Sequence, residues 1–144
     1  MVSLLFFFNI IISSILLGLI LVIQFVHYPS FYFIAKKDFD LFTRHHSKSI
    51  SLIVIPLMLF EASLAFALVF LSSQLELTLF NLSLVLFIWM STFCLSVPCH
   101  QKLNDGKNTK TIEKLIITNW PRTILWAIKL GLAVWMSKDH LDLF

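Results

Sequence analysis

The sequence predicts an all-α integral membrane fold: a bundle of four transmembrane helices, with short interfacial helices in two cytoplasmic loops. Three observations carry this. The chain is 58% hydrophobic and only 13% charged over 144 residues, where soluble domains carry ~25% charged residues. Its mean hydropathy is +0.89. The apolar residues also fall into four runs close to the ~20 residues that a helix needs to cross a bilayer. A soluble fold of this size cannot bury so much apolar surface, so the surplus is expected to face lipid. The length argues for a single domain, residues 1–144.

The spans are expected at about 4–26, 50–71, 77–97 and 120–137. The first lacks a basic leader and a small-residue cleavage site, so it is read as a retained helix rather than a signal peptide. Spans two and three are joined by a tight hairpin through Ser72, Ser73, Gln74, Leu75 and Glu76. The fourth run is the least apolar and reaches spanning length only by including Asn119-Trp120-Pro121-Arg122-Thr123. Pro121 is read there as a first-turn proline, where its missing N–H costs nothing.

Charge sets the orientation. Lys36, Lys37, Arg44 and Lys48 lie between spans one and two, and Lys102, Lys107, Lys110 and Lys114 lie between spans three and four. The opposite side holds only Lys138. Basic loops stay in the cytoplasm, so both termini are expected outside it. In the first loop, Phe39 and Phe42 share a helical face; in the second, Ile112, Leu115 and Ile116 do. Each is read as a short surface-lying helix. The basic residues form no stripe with interleaved aromatics, which argues against a nucleic-acid partner.

The polar residues gather on one edge. His27 closes span one, His45 and His46 precede span two, His100 follows span three, and Asn119 and Arg122 open span four. A lone interfacial histidine is ordinarily just solvated, but four on one edge exceed that explanation, and histidine is the commonest metal ligand. Deeper lie Glu61, ~16 Å beyond Ile50, and Lys129, ~10 Å beyond Arg122. Charges at such depth are costly and usually face the bundle interior. Glu61 is therefore either the partner of Lys129 or Arg122 in a structural ion pair, or a proton-handling carboxylate or metal ligand. Gln24 lies one turn from His27 and Ser96 one turn from His100; Asn9 and Asn81 are read as helix–helix hydrogen bonders, and Trp120 and Trp126 as interfacial anchors.

Other motifs carry little. Cys94 and Cys99 are too few for a disulfide framework, and Cys94 to His100 is two residues too long for covalent haem attachment. The Asn81-Leu82-Ser83 sequon starts a span, so it is discounted. No Walker loop or dinucleotide fingerprint is present.

Taken in order, His27-Tyr28-Pro29, His46, the Pro56-to-Glu61 segment, Val97-Pro98-Cys99-His100 and Asn119-Trp120-Pro121-Arg122-Thr123 with Trp126 resemble a group of short, uncharacterised bacterial four-helix membrane proteins. More distantly the chain looks like the anthrone-oxygenase-like membrane proteins. The first resemblance implies four membrane helices and no particular substrate; the second implies oxygenase chemistry.

The leading expectation is a small membrane oxidoreductase or related enzyme acting on a lipophilic substrate. His27, His46 and His100 would bind a metal ion, a non-covalent haem or a polar substrate head, with Glu61 as a further metal ligand or proton carrier. Asn119 and Arg122 would orient an anionic or carbonyl oxygen. The alternatives are a proton-coupled transporter or channel component, which would need a homo-oligomer, and a non-catalytic membrane assembly factor.

Overall fold

The computed structural model describes residues 2–138, 140 and 141, and among them there is helix and no strand. Helix α1 covers Val2–Val22, passes through a π-helical turn at Ile23–His27 into the short α2, Tyr28–Ser30, and ends in a 3-10 turn at Phe31–Phe33. Helix α3 runs unbroken over Phe39–Leu71. Helix α4 covers Leu75–Ser91 and continues through a second π turn, Thr92–Ser96, into α5, Val97–Leu103. Helix α6 covers Thr109–Ser137. The three stretches Val2–Phe33, Lys36–Leu71 and Leu75–Leu103 are long and apolar enough to cross a membrane.

Connectivity is up-down-up-down. Helix α1 packs on α3 and α6, and α4 packs on the same two. Thus α1 and α4 are diagonal partners, as are α3 and α6. The buried stripes repeat at alternating three and four residues, the spacing of a left-handed bundle seam: Met58, Glu61, Ala65 and Leu68 on α3, Thr78, Asn81, Val85 and Ile88 on α4, and Asn119, Arg122, Trp126, Lys129, Ala133 and Met136 on α6.

The polarity is inverted relative to a soluble bundle. Asn9, Glu61, Thr78, Asn81, Asn119 and Lys129 are fully buried, while Phe25, Leu52, Phe66, Phe70, Leu86, Phe87 and Trp135 are exposed. Helix α6, at 29 residues, is ~43 Å long. It misses the apolar threshold of the other three because its seam is polar, and that seam is what it turns inward.

Several boundaries differ from the sequence reading. The two expected surface helices are not separate elements. Phe39 and Phe42 belong to the first turn of α3, and Phe39 is fully buried. Ile112 and Leu115 lie in the first turns of α6 and are also fully buried. Helix α6 starts ten residues before Asn119, with the Asn108 side chain accepting from the Thr111 amide at 3.0 Å; an Asn at this position satisfies one of the helix's free N–H groups. Pro121 is therefore interior, not a first-turn residue. Each of the four long helical stretches contains one proline: Pro29, Pro56, Pro98 and Pro121.

The two π turns have a local cause. Proline lacks an N–H, and its ring clashes with the carbonyl four residues earlier. Pro29 and Pro98 each follow a π turn by two residues. A π turn takes up one extra residue, which relieves the clash and rotates everything after it by ~100° relative to a continuing α-helix.

One contact ties the diagonal. Lys129 Nζ on α6 lies 3.2 Å from Glu61 Oε1 on α3, and both side chains are fully buried. The ammonium also donates to Asn9 Oδ1 at 3.0 Å and Ser13 Oγ at 2.9 Å on α1, so its three donors have three acceptors. The Trp126 indole donates to both Glu61 oxygens, at 3.1 and 3.3 Å. Removing one partner of a buried pair leaves an uncompensated charge, at a cost of ~3–5 kcal/mol. Lys129→Met is expected to lose about that much stability in detergent-solubilised unfolding, whereas the double variant Glu61→Gln/Lys129→Met should lose clearly less. Equal losses for the two would show that the charges are not coupled.

Candidate functional site

The polar layer forms where the two π turns meet the middle of α6 and the early part of α3. The first π turn brings Gln24 and His27 to the bundle, and Tyr28 follows it; the second precedes His100. Asn119 and Arg122 are buried in the α6 seam, and His46 is buried on α3. His45 is exposed, so His46 is the one of the adjacent pair that faces the bundle.

The side chains form one chain of hydrogen bonds. Gln24 Nε2 donates to the Ile116 carbonyl at 3.2 Å, and Gln24 Oε1 accepts from Asn119 Nδ2 at 2.6 Å. Asn119 Oδ1 accepts from Arg122 Nη2. The same guanidinium nitrogen donates to the Tyr28 hydroxyl at 3.3 Å, and that hydroxyl lies 3.0 Å from His100 Nε2. His46 lies beside His100, with ring centroids 5.5 Å apart, and its Nδ1 is 2.7 Å from His27 Nε2. Of the expected residues, His27, His46, His100, Asn119 and Arg122 are thus brought together. Glu61 is not: it is fifteen residues beyond His46, ~22 Å along α3, and is held by Lys129 and Trp126. Among the described residues, no three His, Cys, Asp or Glu side chains are arranged to hold a metal ion.

On the loop side the layer is closed by an apolar floor. Phe31, Phe39, Leu103, Ile112 and Leu115 are all fully buried and belong to one cluster, and Phe31 packs on both His27 and His46. The loops are pinned together by Lys107, whose ammonium donates to the Tyr32 and Ile34 carbonyls at 2.7 Å.

On the other side lies a cavity of about 320 Å³, at the small end of the ~300–1,000 Å³ range of ligand sites. All four long helical stretches line it. Its walls are mostly apolar, from Leu16 and Ile20 through Val54 and Met58 to Trp89, with Ser51 and Thr92 among them. Its polar end is Tyr28, His100 and Arg122. Ile55, Leu59 and Phe93 belong to its lining and are also exposed on the outer surface, so the mouth opens sideways between α3 and the second π turn.

Three residues of this region were not assigned by sequence. Tyr28 sits inside the His27-Tyr28-Pro29 motif but carried no role. Gln24 was placed near His27 without a partner. Trp126, read as an interfacial anchor, is instead 2% exposed; it lines the cavity and holds Glu61. Trp120 is exposed, as an anchor would be. The signal for Trp126 was the seven-residue repeat of α6, which places it between Arg122 and Lys129; Tyr28 and Gln24 carried none.

Comparison of the chain with protein-family models, with curated proteins and with solved structures returns no match in any of the three.

Proposed function

We propose that the chain is a multi-pass integral membrane protein whose bundle takes a lipophilic molecule from the bilayer and acts on its polar head. The observation that carries this is the cavity: mostly apolar along its walls, open sideways through an apolar rim, closed toward the loops, and ending on Tyr28, His100 and Arg122. Outward-facing phenylalanines and leucines, with polar side chains turned inward, support placing the chain in lipid. The charge asymmetry of the loops supports both termini lying outside the cytoplasm, in a bacterial inner membrane. The site would then sit near the cytoplasmic ends of the helices.

The reading is a small enzyme rather than a passive anchor because of the Tyr28–His100 pair. A phenol and an imidazole 3.0 Å apart can pass a proton to or from a bound head group. Arg122 would hold developing negative charge on an oxygen, and Asn119 and Gln24 hold Arg122 in place. These residues fit proton transfer on a lipophilic substrate, within the oxidoreductase or related classes expected from sequence. A transport path through Glu61 and Lys129 draws less support, since both groups are engaged by fixed partners within the bundle.

Native mass spectrometry of the protein released from membranes in mild detergent tests the reading. A bound lipophile is expected to survive release. Ile55→Trp, at the rim, should lower its occupancy by about tenfold, the effect of ~1.4 kcal/mol, without changing the melting temperature. A wild-type protein free of adducts, which also takes up no lipophile when reloaded, would overturn it.

A further inference from the structure

The polar end of the cavity has a definite hydrogen-bonding sense. A guanidinium can only donate, so the Tyr28 oxygen accepts from Arg122 Nη2. The structure gives the tyrosine's own proton one acceptor, His100 Nε2, at 3.0 Å. His100 Nε2 is then the unprotonated nitrogen, and a neutral ring must carry its hydrogen on Nδ1. His100 Nδ1 is buried without a partner, and so is Arg122 Nε. Both unpaired atoms, on residues that line this end of the cavity, are therefore N–H donors.

The charge points the same way. Arg122 is 6% exposed, and the ion pair found among the described residues is Lys129 with Glu61, not Arg122 with a carboxylate. Its other partners, Asn119 and Tyr28, are neutral oxygens. A buried guanidinium without a counter-ion is costly, and two buried donors without acceptors add to that cost. A single ligand feature removes both: an anionic oxygen.

Resting on the reading of the cavity as a lipophile site, we propose that the molecule it takes is a lipophilic acid. Its head is an oxyanion (a carboxylate, enolate or phenolate) received by Arg122 Nε and His100 Nδ1, and its chain lies along Leu16, Ile20, Val54 and Met58. Alcohols offer weaker acceptance and no charge, and an amine meets two donors and a like charge. Asn119 is a positioning residue in this scheme: it fixes the guanidinium and does not touch the head.

The test uses the full chain in phosphatidylcholine nanodiscs at alkaline pH, with three diazirine-tagged probes of one chain length: palmitic acid, hexadecanol and hexadecylamine. Cross-linked peptides are mapped by mass spectrometry. The acid is expected to label the peptides holding Leu16 and Met58 roughly tenfold or more above the alcohol, as a charge-assisted hydrogen bond requires, with the amine weakest. Arg122→Gln should bring acid and alcohol level. His100→Leu, which leaves the Arg122, Asn119 and Gln24 bonds in place, should lower the acid preference severalfold and serves if the arginine variant does not fold. Equal cavity labelling by acid and alcohol in the wild type overturns the acidic head while leaving the lipophile site standing. Preference for the amine does the same. Labelling that avoids the cavity for all three probes overturns both.

Discussion

The Glu61–Lys129 pair is the constraint on which the bundle's arrangement depends. Helices α3 and α6 lie on a diagonal and share little direct packing, so the usual ridge-and-groove contacts do not set their relative height. The ion pair does, because one carboxylate and one ammonium, fully buried, have a single mutual position in which both are satisfied. Asn9 and Ser13 then draw α1 to the same point, and Trp126 carries the constraint one turn along α6. Once α6 is fixed at Lys129, its seven-residue repeat fixes Arg122 and Asn119 as well. The functional layer is thus placed by a contact that takes no part in it.

Proline supplies the second constraint. Pro29 in α2 and Pro98 in α5 stand at matching points of the first and third helical stretches, and each follows a π turn. The extra residue in each turn rotates the next helical segment, which sets the facing of Tyr28 and His100 toward Arg122. Pro56 and Pro121 stay within continuous α-helix on the other two helices. The polar layer therefore combines two helices that change phase with two that do not, and a uniform helical wheel cannot align it.

The two polar clusters answer to different logic. At Lys129 the three ammonium donors have three acceptors and the charge is balanced by Glu61, while Asn9 Nδ2 beside them is left without a partner. Around Arg122 the accounts stay open: the guanidinium has neutral partners only, and buried nitrogens on His46, His100 and Arg122 lack partners. An interior normally tolerates few such groups. His100 and Arg122 line the cavity, whereas the Lys129 cluster lies deeper in the bundle and braces its helices.

The sequence by itself determined the all-helical class, the four helices, the hairpin that begins at Ser72 and the gathering of His27, His46, His100, Asn119 and Arg122 on one edge. These are carried by residue type and by distance along a helix, which a linear chain displays directly. It also offered Glu61–Lys129 as one of two partnerships, since buried opposite charges at similar depth seek each other. What only the tertiary structure decided depends on rotation and on neighbours. It chose Lys129 over Arg122 for Glu61, separated Glu61 from the histidines, and turned His46 inward and His45 outward. It moved the start of α6 to Thr109, and so placed Pro121 inside the helix, because Ile112 and Leu115 find a buried floor that their amphipathic pattern cannot reveal. It gave Tyr28 and Trp126 their roles. One residue of helical phase is worth ~100°, and two π turns introduce such a shift where the site is built, so the facing of its side chains exists only in the folded bundle.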